Sequence, residues 1–322
     1  MVMVSFYLLF FLVFIFSSFV VLFKFLKADG DFTLLSKKII HEQIEDKVVW
    51  ISGASRGLGE ALAKHFASLG AKLILSARNE FELERVKNKL NGKHAPSEVK
   101  ILPLDLTSGE DTLREAVQRA EAFFPASGVD YMIHNAAYER PKSTALDVSE
   151  DNLKATFNVN VIGAITLTKL LAPYMLKRGR GHFVVTSSTA GKIPSSNKAV
   201  YSASKFALLG YFHSLRSELF DKGIMVTIVC PGSIETSSNI AQAGNSGQGR
   251  PSKLQKSVSA ERCAQLIAIA ASHCLKEAWI CNQPMLAVMY VAQYMPTVCF
   301  WLMDKIGGKR VGEATPSKAK TT

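Results

Sequence analysis

Lys47-Val48-Val49-Trp50-Ile51-Ser52-Gly53-Ala54-Ser55-Arg56-Gly57-Leu58-Gly59 is the stretch on which the fold turns. Val48–Ile51 is an unbroken apolar run, the pattern of a strand buried on both faces. Glycines then allow a tight turn, and Leu58–Leu69 continues at helical spacing. A strand that passes through such a turn into a helix aims backbone N–H groups at one point, where a phosphate can sit. The spacing is G-x-x-x-G-x-G rather than G-x-G-x-x-G, so the turn alone marks a candidate only.

Downstream the same alternation recurs. Apolar or β-branched runs at Lys72–Ala77, Val99–Leu104, Val129–His134, His182–Ser187 and Met225–Cys230 follow the first strand. Between them lie stretches of helical length: Glu80–Leu90, Ser108–Phe123, Glu150–Met175 and Ala199–Phe220. Alternation of this kind predicts an α/β fold, a parallel sheet covered by helices on both faces. Ala260–Cys274 resumes a helix after Ser233–Val258, a small and polar stretch that reads equally as a surface loop or a lid over a site.

Met1–Phe23 carries no charged side chain, and as a helix it reaches about 34 Å, enough to cross a bilayer. It lacks the cationic start and small-residue cleavage site of a secretory signal, which favours an uncleaved anchor. Lys24, Lys27, Lys37 and Lys38 all follow the span and place the remainder on the cytosolic side. Ala278–Met303 is also uncharged, but Pro284 and Pro296 interrupt it, leaving 11 residues between them. That segment predicts a buried or membrane-lying cap rather than a second span.

Of the 322 residues 48% are hydrophobic and 20% charged, which excludes a disordered or collagen-like chain. The net charge is +11, and Thr168–Lys256 alone holds 12 Lys/Arg against three acids. No zinc-finger spacing or RNA-binding aromatic motif accompanies it, so a phosphate-bearing ligand or an anionic membrane is expected and nucleic acid is not. The five cysteines form no C-x-x-C pair and read as free thiols. His65, His134, His182 and His213 read as structural, and no spacing suggests a metal site.

Tyr201-Ser202-Ala203-Ser204-Lys205 lies inside a predicted helix, where positions i and i+4 share a face. A phenol beside an ammonium is a proton donor or acceptor whose pKa the cation lowers. Around this pair stand Ser188 at a strand end, Asn160 in Val159-Asn160-Val161, Asn135-Ala136-Ala137 and Asp105-Leu106 after two other strands, and Pro231-Gly232-Ser233-Ile234-Glu235-Thr236 after the sixth. In that order and with those gaps, residues 47–283 resemble the short-chain dehydrogenase/reductase family, and within it the membrane-anchored dehydrogenase/reductase member 7 group.

The resemblance implies a Rossmann-type doubly wound parallel sheet behind an N-terminal transmembrane helix. It also implies a catalytic set of Asn160, Ser188, Tyr201 and Lys205. Tyr201 would be the acid/base, Lys205 would tune it and bond the nicotinamide ribose, Ser188 would orient the reacting substrate oxygen, and Asn160 would hold a relay water. Gly53, Ser55, Arg56, Gly57, Leu58 and Gly59 would form the pyrophosphate turn. Asp105 and Leu106 would meet adenine, Asn135 the centre of the sheet, and Ile234 with Thr236 the carboxamide. Ser52 and Ala137 depart from the usual Thr and Gly without touching the catalytic set.

Cofactor choice can be read from the second strand, Lys72-Leu73-Ile74-Leu75-Ser76-Ala77-Arg78. It ends without the carboxylate that would bond a ribose 2′-OH, and Arg78 with Arg56 suits a 2′-phosphate, so NADP(H) is expected. The expected activity is hydride transfer to or from a carbonyl or secondary alcohol of a small hydrophobic substrate such as a steroid, retinoid or lipid. A 3-ketosphinganine reductase is the alternative, and a non-catalytic membrane or lipid-droplet scaffold is a third. The complete catalytic set argues against the scaffold, as does an anchor without a proline knot, the first proline being Pro96. The resulting division is an anchor over 1–23, a linker over 24–46, a catalytic domain over 47–283, and an apolar cap with basic tail over 284–322. Lys318 and Lys320 near the end resemble a dilysine retrieval signal and point to the endoplasmic reticulum. A homodimer is possible.

Overall fold

The computed structural model describes residues 2–139, 144–194, 196–235 and 257–311. Thr236, most of the expected loop or lid, and the basic tail with Lys318 and Lys320 lie outside them.

Seven parallel strands form one sheet in the order β3-β2-β1-β4-β5-β6-β9. They are β1 (Val48–Ser52), β2 (Lys72–Ser76), β3 (Val99–Ile101), β4 (Tyr131–His134), β5 (Gly181–Thr186), β6 (Ile224–Pro231) and β9 (Glu277–Ile280). A two-residue pair, β7 (Ile234–Glu235) with β8 (Val258–Ser259), stands outside the sheet. The chain steps outward from β1 to β3, then returns to β4 on the other side of β1. Strand order reverses there, and the crevice beyond the carboxyl ends of β1 and β4 is where a parallel sheet receives its ligand.

Alternate residues of each strand feed two cores. Val48, Trp50, Ile74, Met132, Phe183 and Val185 face α4 (Glu110–Phe123), α6 (Gly163–Arg178) and α7 (Ala199–Leu219). Val49, Ile51, Leu73, Leu75 and Ile133 face α2 (Gly57–Ser68), α3 (Glu80–Lys87) and α8 (Ala260–Ser272). Each such side chain, fully buried, contributes about 1.5–3 kcal/mol relative to exposure. His134 and His182 belong to this interior: each ring meets a threonine hydroxyl, Thr168 at 2.7 Å and Thr227 at 2.8 Å. Burial holds both imidazoles neutral, with pKa pushed down to about 3. The cysteines are free thiols, with Cys274 exposed and the others buried.

Two elements differ from the sequence expectation. The helix expected over Glu150–Met175 is α5 (Glu150–Phe157) and α6 separated by a π-turn at Asn158–Ile162. The sheet also gains a seventh strand, β9, whose Trp279 pairs with Cys230 of β6.

At the N-terminus, α1 (Val2–Leu26) contains an apolar stretch, Leu9–Leu26, with a mean hydropathy of 2.6 and none of it buried. The helix is long and apolar enough to cross a membrane. The segment after it packs on the domain rather than hanging free. Leu34 and Ile44 are buried, the Trp279 N–H donates to Asp31 Oδ2 at 2.8 Å, and Arg262 pairs with Asp29 at 2.6 Å. The C-terminal α9 (Met285–Tyr294) and α10 (Pro296–Val311) close the described chain.

Candidate active site

The glycine turn after β1 is built by close backbone approaches. Gly53 has φ +68°, and a Cβ there would lie 2.8 Å from the Cα of Ala136. A Cβ on Gly59 would lie 2.0 Å from the Gly53 carbonyl oxygen, so only glycine lets α2 start so near the strand end. Ser52 fastens this turn to β4. Its hydroxyl donates to the Ile133 carbonyl at 3.2 Å and accepts from the N–H groups of Asn135 and Ala136 at 3.1 and 3.2 Å. Asn135 returns its amide to the carbonyls of Ser52 and Gly53 at 3.1 and 3.3 Å. The N-cap of α2, Arg56, makes no capping side-chain bond. The first-turn N–H groups therefore remain aimed at the crevice, a cradle that fits a diphosphate.

Arg56 and Arg78 are exposed, and neither forms an ion pair with a described residue. A third arginine, which sequence reasoning missed, holds the turn from below. Arg85 of α3 donates to the Ser55 carbonyl at 2.9 Å and to Glu60 of α2 at 2.8 Å, and pairs with Glu82 at 2.8 Å. These bonds keep the Glu60 carboxyl ionised, with a pKa of about 2. Its only sequence signal was a cation one helical turn after Glu82, a pattern shared by many surface pairs. Asp105 accepts from the N–H and hydroxyl of Thr107 at 2.9 and 2.8 Å, which fixes the turn after β3. Leu106 is buried against Gly163, where a Cβ would lie 2.6 Å from the Leu106 carbonyl oxygen. Ile234 is half-buried in β7.

Across the crevice, α7 brings Tyr201 and Lys205 against the end of β5. Ser188 lies just beyond that strand, accepts from the Ala190 N–H at 3.1 Å, and stands beside the Tyr201 hydroxyl, whose pKa it pulls down. Lys205 is 1% exposed, donates to the Thr186 carbonyl at 2.9 Å, and lies 5.6 Å from the centre of the Tyr201 ring. Asn160 sits in the π-turn, which points its amide out of helical register. It accepts from the Tyr138 N–H at 2.6 Å and donates to the Tyr138 carbonyl and the Ser204 hydroxyl, both at 3.0 Å. Both amide hydrogens are thus spent on protein, so the side chain clips the segment after β4 to α7. Ser204 passes the clip on, donating to the Tyr201 carbonyl at 2.7 Å.

Sequence reasoning also overlooked the residues that seat α7. Ser187 donates to the Lys205 carbonyl at 3.0 Å, and Gly191 lets the loop approach, since a Cβ there would lie 2.7 Å from the Ser187 hydroxyl. Beyond them Lys192, His213 and Trp279 converge on Glu277, at 2.8, 2.7 and 2.5 Å, and hold its carboxyl near a pKa of about 2 despite burial.

Protonation in the site follows burial. Burial raises the Tyr201 pKa above its usual value, the nearby Glu139 carboxylate adds to this, and the Ser188 bond only partly offsets them. The sequence predicts a cation-lowered phenol; burial sets the opposite direction here, and the phenol is protonated at neutral pH. Burial also lowers Lys205 to about 8, so the ammonium stays charged at pH 7. The arrangement is a protonated phenol and a hydroxyl side by side, with a cation behind them. A cavity of about 490 Å³ lies elsewhere, between the post-anchor segment, α2 and α8, and shares no lining residue with this group.

Comparison with known proteins agrees with the geometry. A family described as short chain dehydrogenase matches residues 47–246. Dehydrogenase/reductase SDR family member 7 of Homo sapiens is 37% identical over 302 residues, 90% of this chain and 87% of its own length. Dehydrogenase/reductase SDR family protein 7-like of Drosophila melanogaster is 35% identical over 271 residues, 82% of this chain and 81% of its own. The crystal structure of a metagenomic short-chain oxidoreductase (SDR) in complex with NADP is similar at a TM-score of 0.59 and 25% identity. It covers 71% of this chain and 92% of that one.

Proposed function

Because this chain belongs to the short-chain dehydrogenase/reductase family, we propose that it is an NADP(H)-dependent oxidoreductase reducing the carbonyl group of a hydrophobic substrate. The observation that carries this reading is the Ser188–Tyr201 hydroxyl pair with buried Lys205 beside it, across the crevice from the glycine turn.

NADPH, when bound, supplies the hydride. Ser188 and Tyr201 offer two O–H donors to one carbonyl oxygen, which orients the substrate and stabilises charge developing there. Tyr201 then gives its proton to that oxygen. The Lys205 ammonium stabilises the phenolate left behind, and the Asn160–Ser204 clip keeps Tyr201 in place while the charge moves. A phenol already protonated at neutral pH favours reduction over alcohol oxidation. Gly53, Gly57 and Gly59 leave room for the diphosphate, with Ser55, Leu58 and Asn135 completing the turn around it. Asp105 and Leu106 would face adenine, and Ile234 with Thr236 the carboxamide.

Arg56 and Arg78, exposed and without a described ion-pair partner, would hold the 2′-phosphate. Arg78→Asp should therefore raise the NADPH Kd about tenfold or more, since charge-assisted bonds contribute roughly 1.5–3 kcal/mol. NADH binding should hold or improve. The check is cofactor titration by fluorescence; a parent protein that binds both cofactors equally would overturn the assignment.

The hydrophobic substrate class is supported by the cap. Lys192, in the loop after Ser188, reaches Gln293 of α9 at 3.5 Å, which brings an apolar helix to the edge of the site. Steroids, retinoids and long-chain lipids fit that chemistry, and a panel of their carbonyls with NADPH tests it. The domain sits on the cytosolic face of the endoplasmic reticulum in this reading, supported by the lysines that follow α1. Protease added to intact microsomes should digest the domain, whereas full protection would place it in the lumen.

A further inference from the structure

Helices α9 and α10 have one face in the core and one face bare. Leu286, Met289 and Cys299 are buried, while Tyr294 (76%), Met295, Val298, Phe300, Trp301 (58%) and Leu302 are exposed. No charged residue occurs between Glu277 and Asp304 to break that surface. Apolar patches of this kind mark a contact.

Where the patch lies decides what covers it. The start of α9 is stitched to the end of α1. Gln283 donates to the Phe25 carbonyl at 3.0 Å, and the Phe32 N–H donates to the Tyr290 hydroxyl at 3.1 Å. The Tyr290 ring lies 5.8 Å from that of Phe25 and 5.6 Å from that of Phe32. The bare face is therefore continuous with the point where the membrane helix meets the domain. Neither helix can span: 10 and 16 residues reach about 15 and 24 Å, against a hydrocarbon core of about 30 Å.

We propose that α9 and α10 lie in the interfacial layer of the bilayer that α1 enters, with Tyr294, Phe300 and Trp301 immersed at the boundary between headgroups and acyl chains. Aromatic side chains suit that layer because their rings are apolar and their Tyr and Trp edges are polar. A second copy of the chain is the rival occupant, but it would have to dock where the α1 exit already brings lipid. The proposal rests on α1 as a membrane helix, and the test reads the two separately.

The chain has three tryptophans, and Trp50 and Trp279 are buried, so the difference between the parent and Trp301→Phe isolates Trp301. The full chain is reconstituted in phosphatidylcholine vesicles whose acyl chains carry bromine at carbons 6 and 7. Flotation with the vesicles reports α1; failure to float overturns the anchor and the proposal together. With flotation, the Trp301 emission should fall about twofold or more in brominated vesicles, as expected for a ring immersed ~5–10 Å, and aqueous iodide should leave it nearly unchanged. Quenching by iodide instead would show the face in water. Quenching by neither would show it covered by protein, as in a dimer. Either result overturns the membrane contact while leaving the anchor standing.

Discussion

Tyr201→Phe should lower turnover at least ~100-fold, the lower range for losing a general acid, which corresponds to about 2.7 kcal/mol of transition-state stabilisation. The variant keeps the ring, so its packing on α7 survives, and Ser188 keeps its bond from the Ala190 N–H. Substrate KM should move little, because Ser188 still offers a donor to the ground-state carbonyl. Steady-state carbonyl reduction with NADPH, alongside a thermal melt, separates lost chemistry from lost fold. Reduction at the parental rate would mean that the proton comes from elsewhere.

Lys205→Met should split activity from stability in opposite directions. Turnover falls by a comparable ~100-fold, because no cation remains to stabilise the phenolate. The melting temperature should rise. A buried ammonium whose pKa is lowered to about 8 carries a desolvation cost on the order of 3 kcal/mol at neutral pH. The lost bond to the Thr186 carbonyl offsets part of that, leaving a gain of about 1–2 kcal/mol. The pH dependence follows from the direction of the shift. Below about 8 both native and unfolded Lys205 are protonated, and the cost is present in full. Above that pH the native lysine loses its proton while the unfolded one keeps it, so the parent gains stability and the variant's advantage shrinks. Parental activity should fall over the same range as the ammonium disappears. Melts of both proteins at pH 7 and pH 10 give the test; a variant less stable than the parent at pH 7 would refute the argument.

Periodicity made six strands and their covering helices legible, because strands buried on both faces and helices with one apolar stripe leave different repeats. It could not show β9, where Glu277-Ala278-Trp279-Ile280 becomes a strand only through pairing with β6, far away in sequence. Nor could it show the π-turn at Asn158–Ile162, since one extra residue per turn hardly disturbs an apolar repeat. In the site, Asn160, Ser188, Tyr201 and Lys205 were visible through spaced motifs and are brought together by α7, the end of β5 and the π-turn. Ser187, Ser204, Gly191 and Arg85 were not visible. Their work is to bond main-chain carbonyls and allow close approaches, and residue type reveals neither.

The packed segment behind α1 sets where the molecule can be cut. Asp31, Leu34 and Ile44 are buried, and the Tyr131 hydroxyl donates to the Gln43 carbonyl at 2.8 Å. A soluble form that begins at Lys47 would strip these groups from β9, α8 and β4 and leave an apolar scar. One that begins near Lys27 keeps Asp29, Asp31, Leu34 and Ile44 in place. The segment behind α1 is a bolted mount rather than a leash, so a membrane entered by α1 would hold the crevice at a set height and tilt above its surface.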